Sequence, residues 1–308
     1  ASQASESAAP SRAGARGAAG RRDEGTQYLE REELPPLAAA QEGEGFLGDV
    51  LRRLESSDDW SLQFGAIDDA RRLARFAPRV LAASSQMRKL VGSIASLVES
   101  LRSSLAKNAL RCMGELFAAF GKKMDPYLDA FLPVVLKRAA DTNVFISEEA
   151  VATLREVCWH AGEAKALLPA LAAATNRQPK VRAQGVSCLA MLAQRLRGKG
   201  SLARTSLQAI IDATGRALAD ASGDVRQLAR VVATVLSTEA VLQEFPSSAG
   251  LHAAALPGVD PLSLDVFEAG CLLQCAELSR TQALSPVRAR SPRAAHVPAP
   301  GAGPRPLG

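Results

Sequence analysis

The stretch 90–120, LVGSIASLVESLRSSLAKNALRCMGELFAAF, decides the fold of this chain. Its apolar residues recur every three to four positions, which predicts two amphipathic helices joined by a short connection at 100–103. A short connection makes the two helices antiparallel neighbours. The two apolar stripes are Leu90, Ile94, Leu97, Val98 and Leu101, then Leu105, Ala109, Cys112, Met113, Leu116, Phe117 and Phe120.

The same helix–connection–helix pattern repeats along the chain, with further short connections at 56–59, 141–145, 176–179 and 221–223. One of the stripes is Ala164, Leu167, Leu168 and Leu171. The second helix of each pair is predicted to begin near 60, 103, 146, 180 and 224, a period of about 34 to 44 residues. That period is typical of HEAT-type repeats, whose helix pairs must stack to bury their apolar faces. The prediction is an all-α protein, an α-solenoid of about five to six HEAT-like pairs.

Composition agrees with stacked helices. Apolar residues make up 47% of the 308 residues but aromatic residues only 4%, so Ala, Leu and Val must build the core. Such a core favours close helix packing over sheets, which prefer β-branched and aromatic residues. No run of about 18 uncharged apolar residues occurs, so no membrane span is expected. Cys112, Cys158 and Cys188 fall at apolar helical positions and are predicted to be reduced core thiols.

The predicted array covers 43–245, and the flanks differ from it in composition. Residues 1–42 are poor in aliphatic side chains and are predicted to be a disordered leader. Residues 246–279 are predicted to be a linker followed by a possible capping helix at 262–278. Residues 280–308 hold six Pro and five Arg without an acidic residue, which predicts a disordered basic tail.

The sequence carries no motif that indicates an enzyme. The run 43–48 matches GxGxxG, but no strand-like segment precedes it, so a loop entering a helix is expected. The run 198–201 lacks the spacing of a phosphate-binding loop. Three His residues and the absence of a CxxC pair argue against a metal site. We therefore expect no catalytic residue, no metal and no cofactor.

The connections within the pairs should line one edge of the array, where exposed residues recur once per repeat and suit a large macromolecular partner. Asp59-Trp60, then Leu101-Arg102-Ser103-Ser104, then Asn143-Val144-Phe145-Ile146-Ser147-Glu148 fall on the first three connections. In this order and spacing they resemble a TOG domain, the tubulin-binding HEAT array, over roughly 44–240. With Met124-Asp125, they are most similar to the crescerin family, the TOG array regulators of axonemal microtubules.

This resemblance implies a regulator of axonemal or ciliary microtubules that binds αβ-tubulin or microtubules through the edge, in the cytoplasm and cytoskeleton. TOG domains present an aromatic residue on the first connection and basic or polar groups on later ones. The tubulin-binding residues that it implies are Trp60, Arg102, Ser103, Asn143, Phe145, Lys180, Arg182 and Arg226.

Each of these residues also has a purely structural interpretation. Trp60 could pack on Phe64, Phe145 could be an apolar first-turn residue of the next helix, and Asn143 could be an ordinary turn residue. The basic residues could be solvated surface charge. The main alternative function is a HEAT or armadillo scaffold that binds a peptide or acidic protein through its inner helical face, without tubulin. A nucleic acid partner is not expected, because basic residues lie mainly at turns and tails.

Overall fold

A computed structural model describes residues 27–38, 41, 43–56, 59–197, 199 and 203–266. Helices dominate this part of the chain, and none of its residues lies in a β-strand. Short 3₁₀ turns occur at Arg31–Glu33, Gly121–Tyr127 and Pro246–Ser248. The α-helices are α1 Glu44–Leu54, α2 Trp60–Phe76, α3 Pro78–Ala83, α4 Met87–Leu97, α5 Ser103–Phe120, α6 Leu128–Ala139, α7 Val144–His160, α8 Glu163–Ala174, α9 Pro179–Leu196, α10 Arg204–Leu218, α11 Gly223–Leu236, α12 Glu239–Glu244 and α13 Ala249–His252.

The long helices form five antiparallel pairs: α1/α2, α4/α5, α6/α7, α8/α9 and α10/α11. The second helices touch one another in chain order and form one layer, and the first helices form the other. We call the solvent side of the second layer the second-helix face. The predicted α-solenoid is confirmed. The second helices begin within two residues of the predicted positions.

Side-chain caps mark where two of the second helices, α2 and α7, begin. The Asp59 carboxylate accepts hydrogen bonds from the backbone N–H groups of Ser61 (2.9 Å) and Leu62 (3.2 Å), so the chain turns into α2 at this point. Asn143 caps α7 in the same way through the N–H of Phe145 (3.1 Å). Such caps satisfy N–H groups that have no partner within the helix. They fix where the first and third of the short turns end.

The core is built from small and aliphatic side chains, as predicted. It runs without a break from α1 to α13, and all three described cysteines are buried, free thiols. Burial raises the pKa of the Cys112 thiol well above its usual value, so it stays protonated. No helix in the described part of the chain is both long and apolar enough to cross a membrane.

Ion pairs connect successive second helices. The side chain of Arg71 on α2 is fully buried and binds Glu115 on α5 at 2.7 Å. Burial opposes the positive charge of Arg71, but Glu115 more than offsets it and raises the arginine pKa. Arg111 on α5 repeats the arrangement with Glu149 on α7 at 3.0 Å. Removing one partner of a buried pair is costly because the other charge is left unpaired.

The structure differs from the prediction of a disordered leader over 27–38. This segment lies on the second-helix face, where Leu34 is buried and Arg72 donates to the carbonyls of Pro35 (2.9 Å) and Pro36 (2.7 Å). Its few apolar side chains and its carbonyl groups find partners on the array, which composition alone does not show. Residues 1–26 lie outside the described residues.

The segment after the array is also packed on it. Within the predicted linker, the N–H of Leu256 donates to the Thr234 hydroxyl at 2.9 Å, and Val266 is buried. The predicted capping helix at 262–278 lies outside the described residues beyond position 266, as does the basic tail at 280–308. The GxGxxG run opens α1 as a helix start, with Gly43 at its N-cap.

Candidate functional site

The five turns within the pairs lie on one side of the solenoid. They follow α1, α4, α6, α8 and α10, and each leads into a second helix. We define the turn edge as the described residues of these turns, at 55–56, 59, 98–102, 140–143, 175–178 and 219–222, together with the first turn of the helix that follows each. All eight residues implied by the resemblance lie on the turn edge or within one further residue of it.

The structure brings Trp60 and Arg102 together. Trp60 is the first residue of α2, partly buried against the core, and the guanidinium carbon of Arg102 lies 4.4 Å from its ring centroid. Arg102 is the residue directly before α5, so this cation–π contact joins the first repeat to the second. Ser103, the first residue of α5, is exposed beside it. The indole is therefore held in place before any partner arrives. The ring that packs edge-to-face on Phe64 is that of Tyr28.

The third turn presents an exposed phenylalanine on a capped helix start. Phe145 is 37% exposed, and the ammonium group of Lys107 lies 4.0 Å from its ring centroid. Asn143 is exposed, but its side-chain oxygen is engaged by the Phe145 N–H. The N–H of Asn143 in turn donates to Asp141 at 3.0 Å, which with Arg138 lowers the pKa of that carboxyl. Asn143 thus has a structural role that positions Phe145.

The fourth and fifth turns carry the basic residues, in two different states. Lys180 is exposed on the first turn of α9. Arg182 is partly buried and makes a bidentate pair with Asp220 at 2.8 Å, which lowers the pKa of the Asp220 carboxyl. Arg182 also donates to two backbone carbonyls of its own turn, so its guanidinium connects the fourth and fifth repeats. Arg226 is exposed and donates to the Asp220 carbonyl at 2.6 Å.

Several residues of the turn edge were missed from the sequence. The prediction that Leu101 belongs to the buried stripe of α4 is wrong: α4 ends at Leu97, and Leu101 is fully exposed in the turn. Large apolar side chains are otherwise mostly buried, so their concentration on one edge is informative. Exposed residues of the turn edge that sequence reasoning did not select include Leu62, Leu101, Val144 and Arg177, and also the acidic Glu55 and Glu99.

The turn edge therefore has two chemically different halves. The first three repeats expose aromatic and aliphatic side chains around the Trp60–Arg102 contact. The last two repeats expose the positive charges of Arg177, Lys180 and Arg226. A surface of this kind can bury apolar area at one end and attract negative charge at the other.

The second-helix face is partly covered by the chain itself. Segment 27–38 lies across α2 and α5, and at the other end the Leu264 carbonyl accepts from Gln194 of α9 at 3.3 Å. Between them runs an open groove of about 420 Å³ with mixed charges. In the part of the chain that the structure describes, no group of His, Cys, Asp and Glu is arranged to hold a metal ion. The groove is lined by residues such as Arg31, Glu32, Glu115, Glu148, Arg155 and Glu156.

Comparison with known proteins identifies the family. A family model described as CLASP N terminal matches residues 74–249, more than half of the chain. "TOG array regulator of axonemal microtubules protein 1" of Homo sapiens is 28% identical over 116 residues, which are 38% of this chain and 7% of that protein. The chain thus matches only a small part of this relative's length.

Solved structures show the same fold. One, described as "Structural Basis of Microtubule Plus End Tracking by XMAP215, CLIP-170 and EB1", superposes with a TM-score of 0.55 at 14% identity, covering 79% of this chain and 94% of that one. The "MAST/Orbit N-terminal domain" superposes with a TM-score of 0.51 at 15% identity, covering 74% and 96%. The chain belongs to the CLASP N-terminal family, and its array of helix pairs is a TOG domain.

Proposed function

We propose that this protein is a non-enzymatic regulator of microtubules that binds αβ-tubulin, free or in the lattice, through its turn edge. The observation that carries this proposal is the two-part turn edge: exposed apolar side chains around an immobilised Trp60, followed by exposed basic side chains. The name of the human relative connects that protein with axonemal microtubules. This supports a site of action in the cytoskeleton, at cilia or axonemes.

The apolar half supplies the anchor. A large aromatic side chain that is already fixed loses little conformational freedom on binding, so more of its contact energy appears as affinity. The contact with Arg102 fixes Trp60 in this way and keeps a positive charge beside it. Leu101, fully exposed next to Arg102 in the second turn, adds apolar area that no helix of the array covers.

The basic half supplies attraction over distance. Tubulin is acidic, so exposed Arg177, Lys180 and Arg226 speed its approach and select its orientation. Arg182 contributes less directly, because both carboxylate oxygens of Asp220 already occupy its guanidinium. Its role in this proposal is to hold the fourth and fifth turns in a fixed relation.

The scaffold alternative requires a binding surface on the second-helix face, and less of that face is open to a partner. Segment 27–38 already fills the part over α2 and α5, which leaves the open groove beside it. The lining of this groove has six carboxylates and four basic side chains, so it offers an acidic peptide or a nucleic acid no net positive charge. We therefore favour the turn edge as the binding surface and expect no nucleic acid partner.

The test is whether the wild-type chain elutes with soluble tubulin in gel filtration at low salt, and whether Lys180→Glu weakens the complex. We expect about a fivefold to tenfold loss of affinity for Lys180→Glu, because a charge at the rim of the interface is reversed. The loss should shrink as salt is added, since exposed charges are screened.

Lys165→Glu is the matched control. Lys165 is also exposed and makes the same change of net charge, but it lies on α8 in the first-helix layer, near Asp129 at 3.7 Å. Its affinity should stay within about twofold of wild type. Equal losses for both variants would point to general charge attraction instead of the turn edge. No co-elution of the wild-type chain with soluble tubulin, together with no co-pelleting with microtubules, would refute the proposed function.

A further inference from the structure

Tyr28 brings the segment 27–38 into the aromatic cluster of the turn edge. Its ring centroid lies 5.5 Å from that of Phe64 on α2, at an interplanar angle of 75°. It also lies 5.6 Å from that of Phe145 on α7, at 74°. Both contacts are edge-to-face, the arrangement that aromatic rings prefer. One side chain from outside the array thus connects the first repeat to the third.

The second repeat joins the same cluster through Lys107 of α5. Its ammonium nitrogen is 5.4 Å from the Tyr28 ring centroid and 4.0 Å from that of Phe145. The Lys107 side chain is only 17% exposed and lies 3.8 Å from Glu149, so its position is restricted. A partly desolvated cation between two aromatic rings strengthens their packing.

Backbone contacts hold the segment directly after Tyr28. The Leu29 carbonyl accepts hydrogen bonds from Arg71 at 2.8 Å and from Arg111 at 3.3 Å. The Glu30 carboxylate accepts a further bond from Arg111 at 2.9 Å. Both arginines are themselves oriented by buried carboxylates on the next helix. The donors are therefore fixed before the segment docks, which favours a single register for Tyr28.

We propose that segment 27–38 contributes to tubulin binding at the turn edge, and that Tyr28 positions Phe145 for contact with tubulin. Tyr28 covers one side of the Phe145 ring and leaves the ring 37% exposed. A fixed ring costs less to order on binding than a mobile one. Tyr28 is thus a positioning residue that makes the first three repeats one continuous apolar platform. This inference rests on the proposed function.

The test compares Tyr28→Ala with Tyr28→Phe in the full chain. Tyr28→Ala removes both ring contacts, and we expect affinity for soluble tubulin to fall about fivefold to tenfold. Tyr28→Phe keeps both ring contacts and should bind within about twofold of wild type. Circular dichroism and thermal unfolding must accompany both variants, because Tyr28 packs against the array core and Tyr28→Ala removes that contact.

A second measurement needs no tubulin. The N–H groups of Phe145, Ile146 and Ser147 all donate to Asn143, at 3.1, 3.0 and 3.0 Å. Their hydrogen exchange should be faster in Tyr28→Ala than in wild type and unchanged in Tyr28→Phe, because the first turn of α7 loses its external support. Amides of α11, in the fifth repeat, serve as the internal reference.

The outcomes separate the two proposals. Tighter tubulin binding by Tyr28→Ala would overturn the inference, since the segment would then block the access of tubulin to Phe145. Unchanged binding together with unchanged exchange would overturn it as well. If wild type fails to bind tubulin but exchange accelerates in Tyr28→Ala, the proposed function is refuted while the positioning of Phe145 by Tyr28 is supported.

Discussion

A double variant that replaces Trp60 and Arg226 by alanine is expected to lose co-elution with soluble tubulin while keeping the helicity of the wild-type chain. Trp60 lies at one end of the turn edge and Arg226 at the other. Loss of a packed aromatic anchor typically costs about 2 kcal/mol or more, and loss of a rim charge about 1 kcal/mol. Together these are about 3 kcal/mol, a loss of more than a hundredfold in affinity.

The array supplies a matched control of the same two residue types. Trp159 is 38% exposed at the far end of α7, and Arg79 is exposed at the start of α3, beyond the far end of α2. The variant with alanine at both positions should still elute with tubulin. Because Trp60 also packs against the core, circular dichroism and thermal unfolding must accompany both variants. Loss of binding in the control variant, or retained binding in the Trp60/Arg226 variant, would contradict use of the turn edge.

The arrangement of helices was predictable because it depends on periodicity and on short turns. Asp59 and Asn143 stand where α2 and α7 begin, and both are side chains that favour a helix N-cap. Turns of four or five residues leave little choice of topology, so stacking in chain order follows. The order of the five pairs and the position of the turn edge could therefore be read from the sequence.

Burial within a uniformly apolar helix could not be predicted in the same way. In α8, EAKALLPALAAA, almost every position is apolar, so several stripes fit equally well. The stripe with Ala164 and Leu168 was wrong: both are exposed, and Leu168 is 68% exposed. The predicted burial of Leu101 is wrong for a related reason, because the helical spacing does not continue past the end of α4. Periodicity gives the phase of a helix only where polar residues mark its other side.

Contacts between residues that are distant in sequence could not be predicted either. The pairing of Arg182 with Asp220 spans 38 residues, and Tyr28 reaches Phe145 from outside the array. Residue type marked Arg182 as basic and the leader as poor in aliphatic side chains, and both statements are correct. Neither shows which groups meet once the repeats stack. These contacts matter for function, because Arg182 joins the fourth repeat to the fifth and Tyr28 contacts Phe145 on the turn edge.

Gly185→Ala is expected to destabilise the protein strongly, although alanine is the better helix former. Gly185 lies in α9 where that helix crosses α8, and a Cβ atom there would stand 2.4 Å from the backbone nitrogen of Ala174. It would also stand 2.7 Å from the carbonyl carbon of Ala173, so the obstacle is backbone that cannot rotate away. The two helices must separate, which outweighs the gain in helix propensity of about 1 kcal/mol. We expect a net loss of about 2 to 3 kcal/mol in the free energy of unfolding.

Gly92→Ala isolates the helix-propensity contribution. Gly92 is exposed in the middle of α4, with nothing within 4 Å of the added methyl group, so this variant should be more stable than wild type by about 1 kcal/mol. Urea unfolding followed by circular dichroism measures both changes. Equal effects of the two substitutions would show that the α8–α9 contact is not as close as the structure has it.

Because each repeat contacts only its neighbours, a separated fourth pair also moves Lys180 and Arg226 relative to Trp60. Gly185→Ala should therefore weaken tubulin binding even below its unfolding temperature, without altering any residue of the turn edge.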